Sequence, residues 1–456
     1  MDYDVLILGG GPAGYYCALE CAKGGLKTAL VEKQELGGTG LRWGCLPVKR
    51  MLDALRERQK AEKILFSRSS ADVQEIYKGF LEEMQGIEIQ LAERLSARGV
   101  EIFFGEGSFL TPHTYLVGER CIEAAHIVIA TGTSPKGFQQ VEEDGEYVIT
   151  HKDAVSLEQL PKTMTIIGAN VEGCEFAALF AALGVDVFLL EKENQILKGM
   201  DRDLVQPLLD QFEMQGVKIK VDTAVEAVDK TGSRPIVLLS DGSMIEAEKV
   251  LVTMGRKPNF PLGLDQAGVF HESQRIPVDS CCRTSNSHIY AVGDINGIGG
   301  MAHMAIQQGI LAADNILGKR RELSSGIAVP SAIFTIPEIA GLGCQEQELL
   351  ASRQRYKVGK YPFSHTWRGF TKGIQSGFVK VLFDQKNKLL GLWMAGDDVS
   401  EYIGLLHSVF RKGISLKDLE DSLAIHPSLL EAVWKAARNL EEREGVQDET
   451  TSYIML

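Results

Sequence analysis

The sequence predicts an α/β protein made of two parallel-sheet βαβ domains and a C-terminal α+β domain. Three observations predict it. A strand–glycine turn–helix–strand unit opens the chain, a second copy of that unit begins at Thr163, and beyond about Ser331 the pattern changes to short strands and helices. At 456 residues the chain is too long for one ordinary core.

In the first copy, Asp4-Val-Leu-Ile-Leu8 is an apolar run suited to a buried parallel strand. Gly9-Gly-Gly-Pro-Ala-Gly14 turns into a helix running to about Lys23, and a second strand, Lys27 to Val31, ends at Glu32. The second copy runs through strand Thr163 to Ile167, the turn Gly168-Ala-Asn-Val-Glu-Gly173 and a helix to about Ala182. Its closing strand, Asp186 to Leu190, ends at Glu191. Each acid lies 23 positions after its first glycine (Gly9 to Glu32, Gly168 to Glu191). Such a turn brings a pyrophosphate to the backbone N–H groups at a helix N-terminus, and the acid accepts hydrogen bonds from a ribose diol. Both units are therefore expected to be Rossmann-like dinucleotide-binding domains. Asn170 stands where the middle glycine of the second turn belongs. A structural βαβ unit without nucleotide is the competing reading there.

Two more strand-then-glycine segments follow, Ile127 to Gly132 and Val250 to Gly255-Arg256. A third, Ile289 to Gly293-Asp294, leads into a helix starting near Met301. Between Val48 and about Arg98 the pattern predicts two long charged helices. The C-terminal part carries strands at Gly377 to Phe383 and Leu389 to Met394, then an amphipathic helix from Ser428 to about Arg443. A polar, mobile tail is expected from Glu444.

Composition excludes several function classes. Net charge is −13 with no long basic run, so the footprint of a nucleic-acid binder is missing. No apolar run approaches the roughly 18–20 residues of a membrane span, and the N-terminus carries no signal-peptide pattern. A cytoplasmic protein without membrane partner is expected. Eight scattered cysteines fit reduced thiols, and none has metal-ligand spacing, so no metal is expected. Cys17 and Cys21 share a helix face as core residues, Cys174 is a candidate near the second turn, and Cys281-Cys282 are expected on a surface strand.

These residues, taken in order, resemble the pyridine nucleotide–disulfide oxidoreductases, closest to the dihydrolipoamide dehydrogenase and mercuric reductase branch. The resemblance covers about residues 1 to 440. It rests on the first glycine motif, Gly37-Gly-Thr39, Gly44-Cys45-Leu-Pro47-Val-Lys49, Ala130-Thr-Gly132, Gly255-Arg-Lys-Pro-Asn259, Gly293-Asp294, Met301-Ala-His303, Phe334 to Glu338, and His426-Pro427 with Glu431. It implies a glutathione reductase-like fold. The FAD-binding domain would comprise 1–149 and 271–328, the NAD-binding domain 150–270 and the dimerisation domain 329–443, with a tail at 444–456.

It also implies a homodimer, FAD and a nicotinamide nucleotide. FAD would be held by Gly9, Gly11, Gly14, Glu32, Lys33, Gly38, Thr39, Ala130, Thr131, Gly132, Gly293, Asp294, Met301, Ala302 and His303. NAD would be held by Gly168, Asn170, Gly173, Glu191 and Gly255, with Glu191 favouring NADH because a carboxylate repels a 2′-phosphate. Lys49 and Glu175 match an ion pair beside the flavin. His426 and Glu431 match an acid–base dyad contributed by the partner subunit.

One departure matters. The family carries Cys-x-x-x-x-Cys, and here the segment is Gly40-Leu-Arg42-Trp43-Gly44-Cys45. The retained position would be the flavin-side thiol, whose helix start favours thiolate. The expected function is hydride transfer from NADH to FAD. The electrons then pass to a small acceptor, directly or through Cys45, with His426 and Glu431 moving protons. The vacated volume at Gly40 is expected to admit substrate, with Trp43 as a stacking surface and Arg42 as an anion contact. Two competing readings are a disulfide reductase using another cysteine and a non-catalytic flavoprotein subunit.

Overall fold

The computed structural model describes residues 1–65, 73–138, 141–324 and 328–444. The tail expected from Glu444 therefore lies almost wholly outside the described residues. Two compact units emerge, one of Met1–Met51, Ser70–Leu160 and Met254–Ser325, the other of Leu52–Ser69, Pro161–Thr253 and Gly326–Leu456. The first unit resumes at Met254, not at 271 as the sequence suggested. The cause is local: Arg256–Pro258 pairs antiparallel with Thr133–Pro135 and draws the preceding turn with it.

In the first unit, Glu101–Phe104, Thr28–Glu32, Tyr3–Leu8 and Arg120–Ile129 lie side by side as parallel strands, and Ile289–Ala291 pairs parallel to the last. The central strand is apolar because both of its faces are covered. Val5 and Ile7 enter one core cluster, while Tyr3, Leu6 and Leu8 enter another. Helix Pro12–Lys23 packs on helix Ala302–Ile316 so closely that a Cβ on Gly309 would meet the Ala13 carbonyl oxygen at 2.2 Å. The two long helices expected after Val48 are Cys45–Leu65 and Val73–Ser96.

In the second unit, Lys218–Lys220, Asp186–Leu190, Thr163–Ile167 and Lys249–Val252 form a parallel sheet, beside a separate antiparallel sheet of Val225–Asp229, Ile236–Leu239 and Met244–Glu246. A six-stranded antiparallel sheet follows, in the order Ser331–Ile333, Glu338–Gly343, Leu389–Gly396, Phe378–Asp384, Arg355–Pro362 and Leu440–Glu444. Its last strand corrects an expectation. The terminal helix spans only Glu431–Arg438, and Leu440–Glu444 pairs with Arg355–Pro362 instead of continuing it. Asn439 leaves helical geometry (φ −116, ψ 61), and the charged residues after it suit a solvated sheet edge as well as a helix face.

Lys380 is a buried cation of this unit. Its ammonium lies 3.1 Å from Asp201, 2.7 Å from Asp203 and 2.8 Å from Glu346. Asp201 also accepts the backbone N–H groups of Glu346 and Gln347, both at 2.9 Å. Burial works against the ammonium, but Asp201 and Asp203 outweigh it and raise the Lys380 pKa. Burial likewise opposes the Asp203 carboxylate, and Lys380 depresses its pKa. Removing one partner of such a cluster strands the opposite charge.

Lys380→Met is expected to destabilise the chain by about 3–5 kcal/mol at pH 7, read as a lower urea midpoint. A depressed carboxyl pKa contributes stability above the unfolded value of about 3.9 and loses it as pH falls through the folded value. The difference between variant and parent should accordingly narrow below about pH 4.

Candidate functional site

The first glycine turn is built for close approach. Gly9 has φ +107, and a Cβ there would lie 2.4 Å from the Ala130 carbonyl oxygen. A Cβ on Gly14 would lie 1.9 Å from the Gly9 carbonyl oxygen, so the helix start sits directly on the turn. Gly11 differs: a Cβ there would meet only Gly38 Cα, at 3.9 Å. The space in front of this helix is open, and no side chain caps it. Glu32 is fixed at the strand tip, accepting the Gly10 N–H at 2.7 Å and the Gln34 N–H at 3.0 Å. Lys33 turns outward to Glu106 at 2.9 Å.

The remaining FAD candidates surround the same cradle. Ala130, Thr131 and Gly132 follow the strand Arg120–Ile129, and the Thr131 hydroxyl is buried with no hydrogen-bond partner among the described residues. Gly293 donates its N–H to Gln308 at 2.7 Å. Burial pushes the Asp294 carboxyl above the usual carboxylate range, while the Arg256 charge and the Thr133 hydroxyl, 3.2 Å away, pull it back. Met301, Ala302 and His303 stand at the start of helix Ala302–Ile316, again without a side-chain cap. An open glycine, uncapped amides, an orphaned hydroxyl and a desolvated acid all fit FAD.

Sequence reading missed Arg256. Its guanidinium donates to the Thr133 hydroxyl at 2.7 Å, the Thr133 carbonyl at 2.9 Å and the Thr39 hydroxyl at 3.0 Å. The signal lay in Gly255-Arg-Lys-Pro-Asn259, from which only the glycine was taken. Gly255 itself sits in the first unit, its carbonyl accepting the Lys136 N–H at 3.1 Å.

The second turn repeats the first with one change. Gly168 has φ +101, and a Cβ on Gly173 would lie 1.9 Å from the Gly168 carbonyl oxygen. Glu191 accepts the Ala169 N–H at 2.8 Å and the Glu193 N–H at 3.1 Å, the same pair of bonds that Glu32 makes. Asn170 fills the place that Gly11 leaves open. Its side chain caps helix Val171–Ala182, accepting the Gly173 N–H at 3.0 Å and donating to the Thr253 carbonyl at 2.5 Å.

Gly40 lies in a short π-helical turn, Thr39–Trp43, that precedes the Cys45–Leu65 helix. A Cβ on Gly40 would meet Pro12 Cγ at 3.1 Å and Ala302 Cβ at 3.9 Å. Cys45 is exposed at the first helical position, and Lys49 follows one turn later, half-buried. Arg42 is engaged by Glu88 at 2.8 Å and by Glu35, so its charge is already balanced. The anion contact expected of it is not offered. Trp43 carries the Lys152 ammonium 4.3 Å from its ring centroid, so one face is covered.

In the second unit, Glu175 is buried and accepts the Phe334 N–H at 2.9 Å. His426 Nδ1 and Glu431 Oε1 stand 2.6 Å apart, with the histidine largely exposed.

The other cysteines are placed differently from expectation in two cases. Cys282 is not on a surface strand but in a turn, buried with φ +63, its thiol pushed up to about 12 by burial. Cys174 is fully buried, bonds the Ala169 carbonyl at 3.4 Å, and is pushed far up by burial, which removes it as a redox candidate. Cys17 and Cys21 are core residues as expected. No helix among the described residues is long and apolar enough to cross a membrane.

Comparison with known proteins agrees with this geometry. The family described as pyridine nucleotide-disulphide oxidoreductase matches residues 3–309, and its dimerisation domain matches 329–437. A dihydrolipoyl dehydrogenase of Chlamydia trachomatis is 32% identical over 447 residues, covering 95% of each chain. One from Bacillus subtilis is 32% identical over 466 residues, covering 96% of this chain and 97% of its own. Among solved structures, LpdA from Mycobacterium tuberculosis is similar with a TM-score of 0.87 and 26% identity, covering 95% of this chain and 98% of its own. The HOCl-induced flavoprotein disulfide reductase RclA from Escherichia coli shares the fold, with a TM-score of 0.88 at 24% identity and coverage of 96% and 99%.

Gly14→Ala and Gly173→Ala separate the two cradles. Gly14→Ala is expected to purify without the yellow colour of bound FAD. Gly173→Ala should keep its colour while its affinity for NADH, read by anaerobic titration, falls about tenfold or more.

Proposed function

The chain belongs to the pyridine nucleotide-disulphide oxidoreductases, FAD-dependent enzymes that use NAD(H), and we propose that this member reduces a small non-disulfide acceptor at the expense of NADH. Gly40 carries the reading. With glycine at 40, no disulfide can close to Cys45, so a cycle through that bond has no chemical basis here. FAD, when bound, accepts a hydride from the nicotinamide and yields an electron pair to the second substrate.

The chain's own residues then have three tasks. Glu191, held at its strand tip by two amides, accepts the ribose hydroxyls and repels a 2′-phosphate, which supports NADH over NADPH. Lys49, one helical turn after Cys45, supplies a positive charge that stabilises the reduced flavin. His426 delivers the proton. With Nδ1 held by Glu431, Nε2 is the nitrogen that exchanges a proton with the acceptor. The dimerisation domain supports a homodimer, in which this dyad would serve the partner's flavin.

A second reading, a transient thiol adduct at Cys45, is favoured by its exposure at the first position of a helix. Cys45→Ala decides between the two. Undiminished turnover with the acceptor excludes the thiol route.

Gly40→Cys is expected to restore disulfide chemistry. The nearest obstacle is the Pro12 ring edge at 3.1 Å, which a small shift accommodates. The variant should lose two titratable thiols per chain relative to its own reduced form and gain dihydrolipoamide oxidation about tenfold or more above the parent. A parent chain already oxidising dihydrolipoamide at the variant's rate would overturn the proposal. His426→Gln should lower kcat with the acceptor by about 10²-fold, yet leave bleaching of the flavin by NADH unchanged in a stopped-flow trace.

A further inference from the structure

The segment between Gly38 and Cys45 has little to hold it by itself. Thr39–Trp43 is a single π-helical turn with no side-chain cap at its start. Gly38 has φ +54, and Gly44 adopts φ −127, ψ −96. No covalent link can join residue 40 to Cys45. Even so, two cations from elsewhere in the first unit reach this turn, and a third reaches out from it. Arg256 donates to the Thr39 hydroxyl at 3.0 Å. Arg42 reaches out from the turn to Glu88, on the Val73–Ser96 helix, at 2.8 Å, and to Glu35. Lys152 lies 4.3 Å above the Trp43 ring.

Lys152 is itself held in place. It belongs to the four-residue helix His151–Ala154, closed by a capping box in which Thr150 and Asp153 exchange hydrogen bonds, the Thr150 N–H to Asp153 at 2.8 Å. The ammonium therefore approaches Trp43 from a fixed base. Arg42 is likewise pulled from two sides, by the carboxylate just before the turn and by one on a separate helix. Cation–π and ion-pair contacts of this kind fix the direction of a side chain while remaining breakable.

We propose that Lys152 and Arg42 are positioning residues for Cys45. Together with Arg256 they hold the 39–43 turn in place of a 40–45 disulfide, and so keep the thiol at the start of its helix. Each acts through the turn. The inference rests on the reading of Cys45 as the flavin-side thiol, and the two fail in distinguishable ways.

The test is iodoacetamide alkylation of the FAD-loaded protein, with Cys45 and the exposed Cys121 quantified as separate peptides by mass spectrometry. Cys121 serves as the internal reference. Lys152→Met, which keeps length and removes charge, should raise the Cys45 rate about threefold or more relative to Cys121. Lys152→Arg, which keeps the cation over the ring, should stay within about 1.5-fold of the parent. Deuterium exchange over 37–48 should quicken in Lys152→Met and Arg42→Met but not in Lys152→Arg. Parent-like alkylation and exchange in Lys152→Met overturn the inference, as does an equal change in both Lys152 variants. If instead Cys45 of the parent alkylates equally fast with and without FAD, the reading of Cys45 fails first.

Discussion

A carbonyl oxygen that leaves no room for a methyl group governs this molecule. In each βαβ unit the turn glycine's oxygen sits 1.9 Å from where a Cβ on Gly14 or Gly173 would be. That contact presses the helix start against the strand end and aims its first amides outward. The acids Glu32 and Glu191 then lock to the turn through Gly10 and Ala169. Strand, turn, helix and acid become one rigid cradle. Where the cradle's middle residue is Gly11, the front is open; where it is Asn170, a side chain stands in it and occupies the Gly173 amide. The same architecture thus differs between its two copies by one residue at the helix start.

Much of this was legible in the sequence because the constraint is local. Glycine spacing, apolar runs and a terminal acid all lie within one βαβ unit, so Pro12–Lys23, Thr163–Ile167 and Asp186–Leu190 emerged where expected. What the sequence hid was set by distant partners. Arg42 reads as a candidate anion contact until Glu88, far along the chain, is seen to claim it. Leu440–Glu444 reads as helix until Arg355–Pro362 offers an edge. Cys174 and Cys282 read as available thiols until burial is known. Arg256 joins Thr39 and Thr133 across more than a hundred residues, which no local period announces.

The proposed function turns on the Gly40–Cys45 segment. Both glycine turns, the His426–Glu431 pair and the Asp294 carboxyl keep their local geometry, and the 40–45 turn has one sulfur. A covalent closure contributes by restricting the chain, whereas ion pairs and a cation–π contact contribute less and respond to salt. The turn is consequently expected to be held more softly than a disulfide would hold it.

Anaerobic titration of the purified flavoprotein with NADH addresses the central claim most directly, because it counts electrons. A flavin with a disulfide beside it stores four electrons, and a flavin alone stores two. About one equivalent of NADH per flavin should bleach the visible absorbance completely, with no lag. Uptake of a second equivalent before the flavin bleaches would mean that another disulfide is in circuit, and would contradict the account.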